Sequence, residues 1–297
     1  MNFQGEIAAL LTALCWSFNS IVFTRAGLRV GSGTVNHLRL WIAFAALAII
    51  HLAFFNTPFP FTIEGDRLFY LAVSGLIGLI IGDGLLFEAF VLIGARLSML
   101  LMLLAPIFGA ILAWLVLGET LHIIEILAIL VTVGGIGWVV SEVKGPSRER
   151  SPKYGLGILL GIGGAAGQAG GLLLSKIGMA GGYSAISASL VRIAAAAVVM
   201  GFIFWLRGKM PSERQKLKDR RALLAILSGS LVGPVFGIIL SLVAITHTHI
   251  GVASTLMSLS PVILIPVSGL IFKERVSLRA VLGTIVALLG AAILFFT

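Results

Sequence analysis

Ionisable side chains interrupt several long apolar segments of this chain. They are the residues most able to bind a charged solute or to carry a proton. Asp83 lies in the glycine-rich stretch 78–84, and Glu88 follows five residues later. A charge at the centre of a bilayer costs roughly 2.5–3.5 kcal/mol on insertion scales, so each one requires a reason. Asp83 could contact a substrate amine or carry a proton; alternatively, it could pair with Arg39 or cap a helix broken by glycine. For Glu88 we favour a gate, or an ion pair with Arg39 or Arg96, over substrate contact.

Two arginines lie early in predicted apolar helices and differ in depth. Arg39 is close enough to the helix end to extend its charge towards water, so it could simply anchor the helix. Arg192 lies deeper, where that escape is harder. Its guanidinium could hold a substrate carboxylate through paired hydrogen bonds, or it could pair with Glu6, a second candidate for gating or proton coupling.

Uncharged polar and aromatic side chains in the apolar segments form a second group of candidates. Asn19 and Gln168 carry amides that need hydrogen-bond partners when buried, which favours positions along a cavity. Trp16 and Trp41 could stack on a substrate, although tryptophan in membrane proteins also serves packing and interface roles. Together with Arg39, Asp83 and Arg192, these four residues form the predicted substrate-binding set.

Proline and histidine add two weaker signals. Pro106, Pro261 and Pro266 remove helix hydrogen bonds, so they could act as hinges or fix a static bend. His247 and His249 form a His-Thr-His sequence that could suggest a metal site or a pH-sensing gate. Without a nearby cysteine or acid this is a weak metal signal, and an exposed turn is the better interpretation. We expect no metal site, no cofactor and no catalytic residue.

The same sequence features occur twice, 155 residues apart. Pro106 and Glu119 recur as Pro261 and Glu274, and we expect both glutamates to cap the following helix. The same register pairs Gly78 with Gly233, Gly82 with Gly237, Met102 with Met257, Leu115 with Leu270 and Gly135 with Gly290. A repeat this long in so apolar a chain indicates two fused membrane halves, and such fusions place sites where the repeats meet.

The composition fits a membrane protein. Hydrophobic residues make up 59% of the chain, charged residues 11%, and the mean hydropathy is +1.10. The fold class we predict is all-α integral membrane, with ten transmembrane helices arranged as two inverted five-helix repeats. The first repeat covers residues 1–141, a polar linker covers 142–153, and the second repeat covers 154–297. The predicted spans are 5–24, 34–55, 68–92, 95–117, 122–141, 154–175, 184–206, 221–245, 250–272 and 276–296.

The basic residues indicate how the chain is oriented. All lysines and arginines except Arg67, Lys176 and Arg192 fall in or beside the odd-numbered connections. The positive-inside rule then places those connections in the cytoplasm and both termini outside. Five spans in each half invert the second copy relative to the first, so the halves could rock about a central site. The net charge of +9 therefore reflects membrane orientation and not nucleic-acid binding.

These features resemble the EamA-type permeases of the drug/metabolite transporter superfamily. The resemblance is strongest over Gly94–Val140, with its Ala-Pro, Leu-Gly-Glu and Gly-Gly-x-Gly sequences, and over Gly251–Phe296. The second copy departs from the pattern, because Phe-Lys-Glu replaces Leu-Gly-Glu. The resemblance implies a multi-pass carrier in the inner (plasma) membrane that moves a small metabolite by alternating access, with export preferred. A proton-independent facilitator or a drug efflux carrier is the alternative.

Membrane-embedded enzymes and channels are less favoured by the sequence. An enzyme would need a cluster of catalytic side chains or a nucleotide-binding loop, and the glycines here are scattered through apolar helices. A channel would need a polar stripe along several spans or oligomeric symmetry. The expected partners are a small-molecule substrate and the lipid bilayer. A monomer suffices because one chain carries both halves, although a dimer is possible.

Overall fold

The fold is built from apolar helices, as a computed structural model shows for residues 3–118, 122–142, 153–208, 215–247, 250–272 and 276–296. Within those residues there is no strand. Six helices are long and apolar enough to cross a membrane: Gln4–Val30, Ser32–Phe55, Gly65–Leu101, Ile123–Ser141, Tyr154–Gly178 and Ala185–Leu206. Shorter apolar helices accompany them. The predicted all-α membrane class is confirmed, and the number of ten spans stays a prediction.

Among its described residues, the first half contains six α-helices and one π-helical segment. They are α1 (Gln4–Val30), α2 (Ser32–Phe55), α3 (Gly65–Gly75), π1 (Leu76–Gly82), α4 (Asp83–Leu101), α5 (Leu104–Leu117) and α6 (Ile123–Glu142). The second half contains α7 (Tyr154–Gly178), α8 (Ala185–Leu206), α9 (Arg220–Ser230), π2 (Leu231–Gly237), α10 (Ile238–His247), α11 (Ile250–Met257), α12 (Ser260–Phe272) and α13 (Leu278–Phe296).

The backbone repeats as closely as the sequence does. The segments α3 and π1 begin and end 155 residues before α9 and π2. The widened turns of a π-helix are uncommon, so their presence at equivalent places indicates one architecture used twice. Between the predicted spans 68–92 and 95–117 lies Gly94, whose φ of 82° interrupts α4. That left-handed conformation favours glycine, which lacks the clashing Cβ.

The structure places two of the three predicted hinge prolines at the starts of helices. A turn at residues 102–103 precedes α5, so Pro106 lies in the first turn of α5. Pro261 likewise lies in the first turn of α12, and only Pro266 is in the helix interior. Because the first N–H groups of a helix have no partner within it, proline starts a helix there without loss. The interruptions thus lie just before Pro106 and Pro261, and hinge motion at the three prolines stays a prediction.

Two contacts relate the halves symmetrically. Helices α2 and α8 pack together through Leu40 and Ile193, Ala43 and Ala196, and Leu47 and Met200, each pair 153 residues apart. Helices α6 and α13 cross at Gly135 and Gly290, where an added Cβ on either would meet backbone atoms of the other helix. In addition, α7 packs on α3 and π1, while α1 packs on α9 and π2. Each half therefore contributes its first helix to the other half.

The bundle is packed differently at its two ends. We call the end that holds the turn at Gly31, the break at Gly94 and residues 215–219 the basic end. There α4 packs against α1, α2 and α12, and one apolar cluster joins Phe23 and Val30 of α1 to Phe90 of α4. The equivalent helices α10 and α11 pack on α1, but neither makes a comparable contact with α7, α8 or α5 among the residues described. In the part of the chain that the structure describes, closure is therefore more extensive at the basic end than at the opposite end.

Candidate functional site

The most buried charges of the described chain meet at the junction between π1 and α4. Asp83, the first residue of α4, accepts hydrogen bonds from Nη2 of Arg39 on α2 and from Nε2 of Gln168 on α7. Arg39 and Asp83 are each only 7% exposed. Arg39 and Asp83 belong to the first half and Gln168 to the second, so the contact joins the halves.

Arg39 is held by more than its ion pair. Its Nε donates to Oδ1 of Asn36 over 3.0 Å, and its Nη2 also donates to the carbonyl of Leu79 over 3.4 Å. Nδ2 of Asn36 donates to the same carbonyl over 3.1 Å, and the guanidinium lies 4.9 Å from the ring centre of Phe87. The expectation that Arg39 could extend towards water is therefore wrong, because the side chain is buried and its Nε and Nη2 donate to groups in the interior. Sequence reasoning missed Asn36, although an amide three residues from Arg39 on one helix face was a usable signal.

Gln168 reaches Asp83 because α7 lies unusually close to π1. Its Nε2 also donates to the carbonyl of Gly78 over 3.2 Å. A Cβ built on Gly171 would lie 2.8 Å from Cα of Gly78, and one on Gly167 would lie 2.7 Å from Cα of Gly82. Small residues permit such approaches in lipid, where packing drives association. The glycines of α7 thus position the one polar side chain among them.

Arg192 lies next to this group on α8. Its backbone carbonyl is against Gly75, and its Nη2 lies 3.5 Å from the position of a Cβ on Gly78. Its Nε is buried without a hydrogen-bond partner in the described part of the chain, and Asp83 is the charged group that acts on it electrostatically. We call Asn36, Arg39, Asp83, Gln168 and Arg192 the central cluster. The alternative pairing with Glu6, which lies in the first turn of α1, stays a prediction.

The remaining predicted substrate residues lie elsewhere. Asn19 packs beside Gly233 and Trp16 beside Gly237, so both contact π2 and not π1. Oδ1 of Asn19 is buried without a hydrogen-bond partner among the described residues. Trp41 donates from Nε1 to Nε2 of His37 over 3.1 Å. The predicted set therefore divides into the central cluster, a pair at π2, and Trp41 apart from both.

Polar contacts connect separate helices at the basic end. Glu88 accepts a hydrogen bond from Ser32, whereas its suggested partner Arg39 is engaged by Asp83. Nε of Arg29 on α1 donates to Asp219 over 2.8 Å, and the hydrogen bond from Arg29 holds the pKa of the Asp219 carboxyl below its ordinary 3.8. Lys216 donates to the Thr34 hydroxyl over 2.8 Å. Sequence reasoning did not single out the contacts of Arg29 and Lys216, since they depend on which loops meet.

The opposite end has its own contacts between the halves. Nη1 of Arg67 donates to the carbonyls of Gly178 and Ala180 over 3.1 and 2.9 Å. The buried ring of His51 lies 2.6 Å from the carbonyl of Thr57 and 3.0 Å from the hydroxyl of Ser187. These contacts join α3 to the end of α7 and α2 to the start of α8. They too were missed from sequence.

The histidines and the two repeated glutamates that the sequence singled out lie partly outside the described residues. His247 is exposed, with Nδ1 3.0 Å from the carbonyl of Val243. His249, Glu119 and Glu274 lie outside the described residues. Among the residues that the structure covers, no three or more histidine, cysteine, aspartate or glutamate side chains form a group that could hold a metal ion.

Comparison with known proteins identifies the class to which this fold and polar core belong. The family model described as the EamA-like transporter family matches residues 3–141 and 155–296, which covers nearly the whole chain as two repeats. The chain belongs to this family, and it is a membrane transporter of the drug/metabolite transporter superfamily. The resemblance to the EamA-type permeases is therefore confirmed.

A solved structure titled "Crystal structure of protein" is similar with a TM-score of 0.62 and 16% sequence identity, covering 97% of this chain and 96% of the other. At that identity the likeness concerns the fold alone. The comparison with curated protein sequences gave no significant match.

Proposed function

We propose that this protein is a secondary transporter that moves a small amphiphilic metabolite, such as an amino acid, by alternating access. The observation that carries the proposal is the unequal packing of equivalent helices. Helix α4 closes against α1, α2 and α12, whereas its equivalents α10 and α11 make no comparable contact with α7, α8 or α5 in the described residues. If the two halves exchanged these packings, the closed end would become the opposite one.

The proposal treats the halves as inverted five-span repeats that together provide ten transmembrane helices. With both termini outside, the basic end lies in the cytoplasm under the positive-inside rule. The described conformation then corresponds to a state closed towards the cytoplasm of the cell. In the inner (plasma) membrane such a carrier could export its solute, the direction that the family resemblance favours. One chain supplies both halves, so a monomer is sufficient.

The central cluster is the proposed link between solute movement and helix movement. Asp83 holds Arg39 of its own half and Gln168 of the other half. Protonation of the carboxylate would remove the ion pair and weaken both hydrogen bonds, which would loosen one of the contacts between α7 and π1. A proton could therefore be exchanged at Asp83 during each cycle.

A second candidate function follows from the same contacts. The pairing of Asp83 with Arg39 stabilises the carboxylate, and a carboxylate that never titrates would leave the ion pair purely structural. The protein would then be a proton-independent facilitator or a drug efflux carrier. The two candidates differ in what an imposed pH gradient does to transport.

Uptake into proteoliposomes tests these alternatives. Labelled amino acids and cationic drugs are supplied with and without a pH gradient, to wild type, Asp83→Asn and the exposed control Asp66→Asn. Gradient-driven accumulation that is lost only in Asp83→Asn supports proton coupling. Equilibration that ignores both the gradient and the substitution supports a facilitator. Absence of any protein-dependent flux across the whole panel would contradict the carrier proposal.

A further inference from the structure

Arg192 is the repeat counterpart of Arg39. Both residues lie 153 positions apart, the spacing that also relates the paired core residues of α2 and α8. In the first half, Arg39 is neutralised by Asp83. The position 155 residues after Asp83 is Ile238, the first residue of α10. The second half has therefore kept the arginine and lacks the acid at the equivalent place.

The protein does not supply a replacement acid for Arg192 in the described residues. Asp83 already accepts from Arg39 and Gln168, and Arg192 forms no ion pair there. The central cluster thus contains two guanidinium groups and one carboxylate, which leaves one positive charge in excess. A mostly buried charge is costly unless a partner neutralises it. Nε of Arg192 is also a buried donor with no acceptor, which adds a desolvation cost of its own.

We propose that Arg192 is the subsite for an oxyanion of the transported solute, namely a carboxylate. The planar guanidinium offers two parallel N–H donors that match the two oxygens of a carboxylate. The solute would provide in the second half the negative charge that Asp83 provides in the first. This inference rests on the proposed carrier function, and it narrows the substrate to amphiphilic acids and amino acids over cationic drugs.

Binding without transport gives the first test. The purified protein, in an uncharged detergent at constant ionic strength, is titrated with acetate, benzoate, phenylacetate, leucine and phenylalanine, and with the amide of each. Thermal unfolding and calorimetry report binding. We expect at least one acid to stabilise the wild type while its amide does not. Arg192→Gln should weaken that acid about 10- to 100-fold, the range of a lost charge-assisted hydrogen bond.

Two variants control for folding and for charge. Arg192→Lys keeps the charge and loses the planar fork, so it should bind the acid more weakly than wild type and more strongly than Arg192→Gln. Should Arg192→Gln fail to fold, Arg192→Lys carries the test alone, with an expected weakening of about 3- to 10-fold. Arg207→Gln removes an exposed arginine at the end of the same helix and should match wild type.

The outcomes separate this inference from the carrier proposal. Equal binding of acids and amides, no binding of any acid, or full acid binding in both Arg192 variants would overturn the subsite. If proteoliposomes also move solutes without regard to the carboxylate, the carrier stands and the subsite is wrong. If an acid binds through Arg192 but no solute crosses the membrane, the subsite stands and the carrier proposal fails.

Discussion

The segments π1 and π2 have the same backbone and different chemistry. Each contains seven residues, follows an eleven-residue helix and packs on the first helix of the other half. At the end of π1 stands Asp83, bound to Arg39 and Gln168; at the end of π2 stands Ile238. Across from π1 lie the glycines of α7, whereas Asn19 and Trp16 of α1 lie across from π2.

This difference separates the features required by the fold, which occur in both copies, from the features of the site, which do not. The widened helical turns occur in both copies, so they do not depend on the Asp83 ion pair. They accompany close helix contacts at Gly78 and Gly82 in one copy and at Gly233 and Gly237 in the other. Both copies carry an arginine, Arg39 and Arg192, but only the first copy carries the acid, and this asymmetry gives the central cluster its excess positive charge.

Removing the acid of π1 should have the largest effect. In Asp83→Leu, the buried guanidinium of Arg39 loses its counter-charge, which should lower the free energy of unfolding by about 3–5 kcal/mol. The double variant Arg39→Leu/Asp83→Leu should recover most of that loss, because neither charge remains. Ile238→Leu serves as the control in the other copy. Thermal unfolding in detergent compares these three variants with wild type, and an Asp83→Leu protein as stable as wild type would contradict a buried ion pair.

The next largest effect should be on stability when the amides that contact π1 and π2 are replaced. Gln168→Leu removes a hydrogen bond to a carboxylate and should cost about 1.5–3 kcal/mol. Asn19→Leu removes a side chain whose Oδ1 is buried without an acceptor role, so it should be neutral or slightly stabilising. The same unfolding assay compares them. Equal losses would mean that Asn19 has a partner in the working conformations.

Adding a methyl group at the helix crossings should lower the free energy of unfolding by an amount that depends on the atoms it meets. Gly171→Ala places Cβ 2.8 Å from the backbone of π1, which cannot move aside, and should cost about 1–3 kcal/mol. Gly233→Ala meets the side chain of Asn19, which can rotate away, so the cost should be smaller. Gly170→Ala on α7 meets only Ile77 at an ordinary 3.4 Å and is the control. A neutral Gly171→Ala would show that α7 and π1 are not in contact.

The exposed contact between Arg29 and Asp219 should matter least. Asp219→Asn should change the population closed at the basic end by about twofold or less, as exposed ion pairs contribute little. Because the pKa of Asp219 is lowered, its contribution is present above the ordinary 3.8 and is lost as pH falls through the lower value. Fluorescence quenching of a label at the basic end should therefore be constant between about pH 5 and 8. A change within that window would implicate another group.

The sequence alone was sufficient to predict the class of membrane transporter, the internal repeat and part of the site. The spacing of Pro106 and Pro261 revealed the repeat because equivalent backbones need equivalent residues. Asp83, Arg39 and Gln168 were identified because polar groups in apolar helices need partners. The pair between Asp83 and Arg39 was one of the alternatives that the sequence left open. The contact of Asp83 with Gln168 could not be derived, since it depends on how closely α7 approaches π1. Asn36 and Arg29 were missed because neither is unusual until its neighbours are known.

The central claim is that equivalent helix pairs open and close in opposite phase. The chain has a single cysteine, so Cys15→Ser gives a background for spin labels at chosen sites. One labelled pair, Gly33→Cys with Leu92→Cys, reports α2 and α4 at the basic end. Its repeat counterpart, Ile186→Cys with His247→Cys, reports α8 and α10 at the opposite end.

Distances between the labels are measured by pulsed electron resonance in nanodiscs, across a range of pH and with a solute that the protein transports. We expect two distances for each pair, with the shorter distance of one pair gaining population as the shorter distance of the other loses it. A transporting protein in which both pairs keep one fixed distance, or lengthen and shorten together, would contradict alternating access by exchange of the two halves.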